Sequence, residues 1–237
     1  MSEGTSSSEG ILHCFGDKHR RAFHMRLEKV AESMWKGESS DFTIVCGESR
    51  FPVHQAVLSE SSTYFRALFN GQFRESQERQ VVLSDKELEP GMIGKMVEFV
   101  YTGDYCHPAT HRIPRDPSTH HNPCLDAAMY ILGDYFGIED LQDLSYSRLH
   151  DWALSGPDLE IFQDAVDRIY AATTEGSELR QVLVDAGCEA QTGEGNLLMT
   201  RALTKRFFHR NAEFTTDLLF TVVERLVNPH LMQAFKG

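Results

Sequence analysis

The sequence is short of positive charge. Its 23 lysines and arginines are outnumbered by 35 aspartates and glutamates, which gives a formal net charge of -12. Nucleic-acid phosphates attract lysine and arginine and repel a chain with this balance, so direct binding of DNA or RNA is not expected. The partners that the composition favours are therefore proteins.

Long apolar runs are also absent, and the N-terminal stretch is polar, so the sequence predicts neither a membrane span nor a signal peptide. It contains no Asn-x-Ser/Thr acceptor and no C-x-x-C pair. An odd number of cysteines without such pairs indicates reduced thiols in a cytoplasmic or nuclear protein. The five cysteines are Cys14, Cys46, Cys106, Cys124 and Cys188.

Catalytic motifs are missing as well. There is no G-x-S-x-G, no H-E-x-x-H and no P-loop, and Gly193-Glu-Gly195 lacks the third glycine of a dinucleotide fingerprint. His54 lies near three serines, but a single histidine at a strand-to-helix corner is more often a hydrogen-bonded structural residue than a catalytic one. We therefore predict no enzyme activity and no cofactor.

What the sequence does have is a strand-to-helix stretch at residues 51–69, around which the rest of the chain is organised. It begins as a strand, with Pro52 at a position that favours a sheet edge. It continues as a predicted helix from His54. The helix should bury a stripe formed by Val57, Leu58, Phe65, Leu68 and Phe69.

Two further strands and several helices complete the pattern. Residues 41–46 alternate as a strand and form a hairpin with 50–53, and residues 80–83 form a third strand. Helices follow, with Gly103 and Gly137 as stops and Asn122 as an N-cap. Their predicted apolar stripes are Met92, Met96, Phe99, Val100; Ala128, Leu132, Tyr135, Phe136; and Ile138, Leu141, Leu144, Trp152.

Beyond a break at Ser155-Gly-Pro157, four or so more helices are predicted. Their stripes are Leu159, Phe162, Val166, Ile169; Leu179, Val182, Leu183, Ala186; Met199, Leu203, Phe207; and Phe214, Leu218, Val222, Leu226.

Several linked motifs, in order, resemble a BTB/POZ domain. They are Ser40-Asp-Phe-Thr-Ile-Val-Cys-Gly47, Phe51-Pro-Val-His54, Val57-Leu58, Ser61, Tyr64-Phe65, Gly71-Gln-Phe-Arg-Glu75, Val81-Val-Leu83 and Val97-Glu-Phe-Val-Tyr-Thr-Gly103. The resemblance covers about residues 40 to 145. It implies an α+β fold in which a small mixed sheet is flanked by a cluster of helices, followed here by an all-helical C-terminal extension.

The resulting layout has four parts. We predict a disordered N-terminus at 1–16, an N-terminal helix at 17–36, a BTB/POZ domain at 40–154 and a helical extension at 157–237. In the extension, Ile169-Tyr170 and Glu178 to Asp185 resemble the tails of fungal BTB proteins.

The N-terminal helix carries a four-residue apolar stripe, namely Phe23, Leu27, Val30 and Met34. Such a stripe requires a packing partner. One interpretation packs it on its own domain. The other, implied by the resemblance to dimeric BTB domains, exchanges it between two copies, which makes these residues a homodimer interface.

A histidine- and proline-rich insertion occupies residues 106–123. Its potential zinc ligands are Cys106, His107, His111, His120, His121 and Cys124. Their spacing matches no standard finger, and three interior prolines do not impose a ligand geometry. We therefore predict an exposed insertion without metal, in a position suited to specificity.

One functional motif is carried over from the resemblance. BTB adaptors of cullin-RING ubiquitin ligases share a hydrophobic-x-Glu triplet after the helix that ends here near Phe69, and this chain has Phe73-Arg74-Glu75 in that place. An exposed Phe73 would fill a pocket on a partner helix, and Glu75 would pair with a cation at its rim. The alternative is that Phe73 packs under its own loop and Glu75 is only solvated.

A second family feature departs from the pattern. In BTB dimers an aspartate such as Asp41 often lines a charged groove, together with a basic residue after the histidine at the helix start. Here Gln55 follows His54. The substitution argues against corepressor binding of the type found in zinc-finger BTB proteins.

The function that follows is a protein–protein interaction module. We expect a homodimer that docks on a cullin scaffold and presents an unidentified client for ubiquitin transfer. The alternative is an oligomerisation scaffold without a ligase role, and an enzyme is the least favoured reading.

Overall fold

The computed structural model describes most of the chain in two compact units. The described residues are Lys29, Ser33, 36–71, 73–85, 88–106, 122–155, 159–189 and 205–227. The units are Met1–Arg112 and Ile113–Gly237. The break at residues 155–157, predicted as a domain boundary, therefore lies within the second unit, because helices on both sides of it share one apolar cluster.

The first unit is built on a three-stranded mixed sheet. Strands β1 (Phe42–Cys46) and β2 (Ser49–Val53) form an antiparallel hairpin, and β3 (Gln80–Leu83) pairs with β1 in parallel, in the order β2-β1-β3. The predicted strands are confirmed, and so is the position of Pro52 on an edge strand. Proline fits there because it has no backbone N–H, and an edge strand has no second neighbouring strand that would require one.

The helix predicted from His54 to Phe69 is two helices, so that prediction is wrong. Helix α1 (Gln55–Ser61) ends before Ser62, whose backbone is extended, and α2 (Thr63–Asn70) begins directly after it. The Ser62 hydroxyl accepts the N–H of Phe65 at 3.1 Å. Serine is a strong N-cap, so it starts a new helix where the apolar spacing alone suggests a continuous one.

Two more helices lie on either side of β3 in this unit. Helix α3 (Arg74–Glu78) precedes β3, and α4 (Pro90–Thr102) follows it. Gly103 caps α4 with φ of 73°, a left-handed conformation that glycine adopts at little cost, as predicted.

In the second unit the described elements are helical. They are α5 (Pro123–Phe136), α6 (Glu139–Leu154), α7 (Leu159–Ala172), α8 (Glu178–Glu189), α9 (Lys205–Arg210) and α10 (Ala212–Val227). Asn122 caps α5 by accepting the N–H groups of Cys124 and Leu125, as predicted. Among the described residues, no helix has the length and apolar character needed to cross a membrane.

Two of the predicted stripes include a residue that is exposed. Tyr135 in α5 is 48% exposed, because α5 turns Met129, Leu132 and Phe136 inward. In α10, Phe214 and Leu218 are buried but Leu226 is 75% exposed. Residues four apart advance by about 40° around a helix at each step, so a stripe with this spacing leaves the buried face after two turns. Met199 and Leu203 of another stripe lie outside the described residues.

Candidate functional site

The Phe73-Arg74-Glu75 triplet lies where α2 gives way to α3. Phe73 is the N-cap residue of α3, with φ of -76° and ψ of 156°. Its side chain is 55% exposed, an unusual state for phenylalanine. This is the exposure that a partner-binding aromatic residue requires.

The Phe73 ring is held against the backbone of Gly71. A Cβ atom at position 71 would lie 2.2 Å from two ring carbons of Phe73 and 3.2 Å from the carbonyl oxygen of Ala67. Real atoms do not approach so closely, so any larger residue at position 71 would displace the ring. Gly71 thus sets the direction in which Phe73 points.

Hydrogen bonds tie the same segment to the end of α2. The Ser76 hydroxyl donates to the Leu68 carbonyl at 2.6 Å and lies 3.3 Å from the Gly71 carbonyl. At the far end of α3, the Arg79 carbonyl accepts the N–H of Thr43 in β1 at 3.1 Å. The triplet is therefore presented by a braced turn, which lowers the entropy lost on binding a partner.

Glu75 is half-buried in the first turn of α3. A carboxylate is favoured there by the helix dipole. Arg74, between the two candidate residues, forms an ion pair with Glu78 one turn on. The surface at the start of α3 thus combines an exposed ring with a carboxylate two residues later.

His54 is a structural residue in this fold. It is buried, its Nε2 lies 2.9 Å from the Glu38 carbonyl and its Nδ1 lies 2.8 Å from the Tyr101 hydroxyl. A carbonyl only accepts, so Nε2 carries a proton, and in the neutral ring Nδ1 accepts from Tyr101. The Tyr101 oxygen in turn accepts the backbone N–H of His54 at 2.9 Å. Both ring nitrogens of His54 are thereby satisfied within the fold.

Burial raises the pKa of Tyr101 to about 12. Its hydroxyl therefore remains a hydrogen-bond donor to His54 over the physiological pH range.

Asp41 has a local role that the sequence reasoning missed. Its Oδ1 accepts the backbone N–H of Gln55 at 2.9 Å, at the start of α1. Because helix N-termini leave N–H groups without intrahelical partners, this carboxylate stabilises α1 from 14 residues away. The signal in the sequence is an aspartate directly before the hairpin that leads into a helix, whereas the family resemblance assigns Asp41 only to a groove.

In the second unit, a polar network surrounds the buried side chain of Arg180 in α8. The guanidinium donates to Thr173 Oγ1 at 3.1 Å, to the Tyr170 carbonyl at 3.1 Å and to Glu213 at 2.8 Å, and it also contacts the Thr173 carbonyl. Arg180 thus joins α7, α8 and α10.

Tyr170 extends this network to α10. Its hydroxyl donates to Asp217 at 2.8 Å, and burial raises the pKa of Tyr170 well above its usual range. Arg180 and Tyr170 therefore act together in holding α7, α8 and α10.

Of the predicted zinc ligands, the structure describes Cys106 and Cys124. The Cys124 thiol lies 3.6 Å from Asp164 Oδ2, and burial, reinforced by that carboxylate, raises its pKa to about 11. Within the described ranges, no group of three or more His, Cys, Asp and Glu side chains is placed to hold a metal. The four histidines, and the dimer stripe of Phe23, Leu27, Val30 and Met34, lie outside the described residues.

The family model of the BTB/POZ domain matches residues 30–149, about half of the chain. The chain therefore belongs to the BTB/POZ domain family. The fold is of that class: a small mixed sheet with surrounding helices, followed by further C-terminal helices.

Known proteins are similar in sequence to this chain over shorter stretches. Kelch-like protein 30 of Mus musculus is 44% identical over 64 residues, 27% of this chain and 11% of that protein. Kelch-like protein 38 of Homo sapiens is 40% identical over 74 residues, 31% of this chain and 12% of that protein. Kelch-like protein 24a of Danio rerio is 32% identical over 107 residues, 45% of this chain and 15% of that protein. The matches thus span only a small part of these relatives.

Among solved structures, the chain is similar to the BTB domain of zebrafish PATZ1. The sequence identity is 16% and the TM-score is 0.36, over 61% of this chain and 94% of that one.

Proposed function

We propose that this chain is a protein–protein interaction module that docks on a cullin scaffold of a ubiquitin ligase. Phe73 is the anchor in this proposal, and Glu75 pairs with a cation at the rim of the partner's pocket. The observation that carries the proposal is the 55% exposure of Phe73 on a braced turn, in a chain of the BTB/POZ family. The cullin itself enters through the resemblance of the triplet to that of ligase adaptors.

Physical chemistry supports this assignment of roles. An aromatic side chain offers a large apolar area with few rotatable bonds, so burying it on binding costs little conformational entropy. The contact between Phe73 and Gly71 and the bonds of Ser76 restrict the turn further. A carboxylate at the more solvated edge of an interface orients the partner and speeds association, and it contributes less to affinity.

The alternative interpretation of the triplet gives it a structural role. The Phe73 ring does contact Gly71, so part of its surface is covered within the fold. The uncovered part is the larger one, which favours partner binding.

Self-association is the second part of the proposal. The stripe of Phe23, Leu27, Val30 and Met34 packs against a second copy and gives a homodimer. The client is held by the helical extension at 157–237 or by the 106–123 insertion. A cytoplasmic or nuclear location and the absence of enzyme activity belong to the same proposal.

The second candidate function is an oligomerisation scaffold without a ligase role. The sequence departs from the family pattern at Gln55, where a basic residue would be expected after His54, and Asp41 is engaged with the backbone of α1. Both observations argue against a charged groove for a corepressor and leave self-association as the function of a scaffold. A scaffold would keep the homodimer but would have no need of an exposed Phe73.

Affinity purification with mass spectrometry separates the two. The intact chain is compared with Phe73→Ala and with Val82→Ala, a matched control because Val82 is 59% exposed on β3 of the same unit. We expect a cullin with the intact chain and with Val82→Ala, and its loss with Phe73→Ala. Recovery of the chain itself without any cullin would favour the scaffold.

A further inference from the structure

Two tyrosines and a carboxylate meet at the surface of the second unit. Tyr130 of α5 and Tyr146 of α6 have ring centres 6.4 Å apart, and their planes are inclined by 48°. The Tyr130 hydroxyl donates to Glu178, the first residue of α8, at 3.1 Å. Three helices therefore supply this group, which we call the tyrosine–glutamate cluster.

The tyrosine–glutamate cluster is accessible from solvent. Glu178 is exposed, and both tyrosines are partly buried where they pack against the apolar cluster of the second unit. His150, one turn after Tyr146, is also exposed, and its ring centre lies 6.1 Å from that of Tyr146. Each tyrosine ring thus keeps part of its surface in water, where a ligand can reach it.

The electrostatic potential at the cluster is negative. Burial raises the pKa of both tyrosines, and the charge of Glu178 raises each of them further. Asp185 also acts on Tyr146, but its carboxylate is paired with Arg225. Among the described residues, no basic side chain forms an ion pair with Glu178, whose bonded partner is Tyr130. A cation would therefore meet an uncompensated carboxylate beside two aromatic rings.

The same unit contains a filled example of this arrangement. Arg180 lies 4.4 Å from the centre of the Tyr170 ring, and the Tyr170 hydroxyl donates to Asp217 at 2.8 Å. A second carboxylate, that of Glu213, accepts from the guanidinium at 2.8 Å. A tyrosine whose hydroxyl is held by an acid thus carries a guanidinium on its face in this protein. The tyrosine–glutamate cluster offers the same chemistry, and no cation of the described chain lies on its rings.

The chemistry of the cluster favours arginine over other organic cations. A guanidinium is planar, so it stacks on an aromatic face while its fork of N–H donors reaches a carboxylate. A lysine ammonium is a compact and strongly hydrated charge that does not stack. A quaternary ammonium has no N–H to donate, so it would leave the oxygens of Glu178 without a new bond.

We propose that the tyrosine–glutamate cluster binds an arginine side chain presented by a partner protein. The guanidinium stacks on the rings of Tyr130 and Tyr146 and donates to Oε1 of Glu178, the oxygen that Tyr130 does not use. This site lies in the second unit and does not depend on the role proposed for Phe73.

The test follows the tyrosine ring signals of the full chain by NMR at neutral pH, in protein with isotope-labelled tyrosine. One ligand is N-acetylarginine amide, and the other is N-acetylcitrulline amide, which has nearly the same shape without the charge. We expect the arginine ligand to shift the signals of Tyr130 and Tyr146 to saturation, and the citrulline ligand to leave them unchanged. The signal of Tyr135, which is 48% exposed on α5, should not move with either ligand.

Glu178→Gln should weaken binding of the arginine ligand by about threefold or more, because the charge is lost while the shape remains. Tyr146→Leu should weaken it by a similar factor, because one ring face is removed. Glu224→Gln is the matched control, since it removes an exposed carboxylate from α10 of the same unit, and it should leave binding unchanged. Because Glu178 is exposed, Glu178→Gln keeps the test valid even if Tyr146→Leu loosens the packing of α6.

The proposal is overturned if the arginine and citrulline ligands act alike, if Tyr135 shifts as much as the other two tyrosines, or if Glu178→Gln binds like the wild type. It is also overturned if free arginine binds more tightly than the capped amide. The site would then recognise the amino acid itself, and not the side chain of a partner protein.

Discussion

The guanidinium of Arg180 lies 4.4 Å from the centre of the Tyr170 ring, while its nitrogens bond oxygens of Tyr170 in α7, of Thr173 just after α7 and of Glu213 in α10. A planar cation with five donors suits this combination of stacking and hydrogen bonding, and a lysine would not replace it. The pair joins α7 to α8 at the centre of the second unit.

Arg180→Met should therefore destabilise the protein by about 3 kcal/mol, because it keeps the aliphatic stem but leaves several acceptors without donors. The control is Arg168→Met, whose ion pair with Asp164 is exposed to solvent and should contribute little to the free energy of unfolding. Chemical denaturation measures both. Equal losses of unfolding free energy in the two variants would contradict the role of Arg180 in joining the helices.

Tyr101 should make stability fall at alkaline pH. Burial raises the pKa of Tyr101 from an ordinary value of 10.0 to about 12. Between these values the unfolded chain loses the proton and the folded chain keeps it, so unfolding becomes more favourable as pH rises. Below pH 10 the stabilisation that comes from the protonated Tyr101 hydroxyl is fully present.

Tyr101→Phe supplies the comparison. At neutral pH the variant should be less stable by roughly 1–3 kcal/mol, because the backbone N–H and Nδ1 of His54 lose their partner. From pH 10 to pH 12 it should lose less stability than the wild type, so the two urea-denaturation curves approach each other. Parallel curves would show that Tyr101 does not titrate differently on folding.

Cys124 should react slowly with alkylating agents. Burial and the neighbouring Asp164 raise its pKa to about 11, so at pH 8 the thiolate is on the order of a thousandth of the thiol. Asp164→Asn should lower the pKa and speed alkylation at Cys124, as followed by mass spectrometry with iodoacetamide. If Cys124 in the wild type reacts as fast as N-acetylcysteine, its thiol is not held in the protonated form by burial and Asp164, and the prediction is wrong.

The N-terminal stripe should hold two copies together. Leu27→Asp places a charge in an apolar interface and should shift the protein toward monomer in sedimentation velocity, since an unpaired buried charge is costly. Glu28→Ala, on the polar face of the predicted helix, is the control. A wild-type chain that is monomeric at tens of micromolar, on the order of ordinary dimer affinities, would exclude this interface.

Features that depend on neighbouring residues in the sequence were predictable. The hairpin of β1 and β2, the glycine at the end of α4 and the Asn122 cap of α5 follow from alternation and from local backbone chemistry. The strand β3 was predicted with its bounds, although its parallel pairing with β1 is set by tertiary structure.

Features that depend on distant residues were not predictable from spacing. The Asp41 carboxylate reaches Gln55 only once the hairpin has formed, and Arg180 meets Glu213 only when α8 and α10 pack together. The exposure of Tyr135 and Leu226 likewise depends on which neighbours cover a helix. Ser62 is the local exception, because its capping preference could have been weighed against the apolar spacing.

Gly71 offers a way to test Phe73 without removing it. Gly71→Ala should displace the Phe73 ring, since the added Cβ would overlap it, and so weaken cullin binding while the aromatic residue remains.

Glu75→Ala should weaken cullin binding less than Phe73→Ala does, and this loss should shrink with added salt, because the carboxylate lies at a solvated rim.

The central claim is tested most directly by calorimetric titration of the intact chain and of Phe73→Ala with a cullin scaffold. We predict that the wild type binds and that Phe73→Ala loses roughly 2 kcal/mol or more of binding free energy. Its melting temperature should remain nearly unchanged, because an exposed side chain contributes little to the core. Undiminished binding by Phe73→Ala, or a sharp fall in its melting temperature, would contradict the account and make the triplet a structural feature.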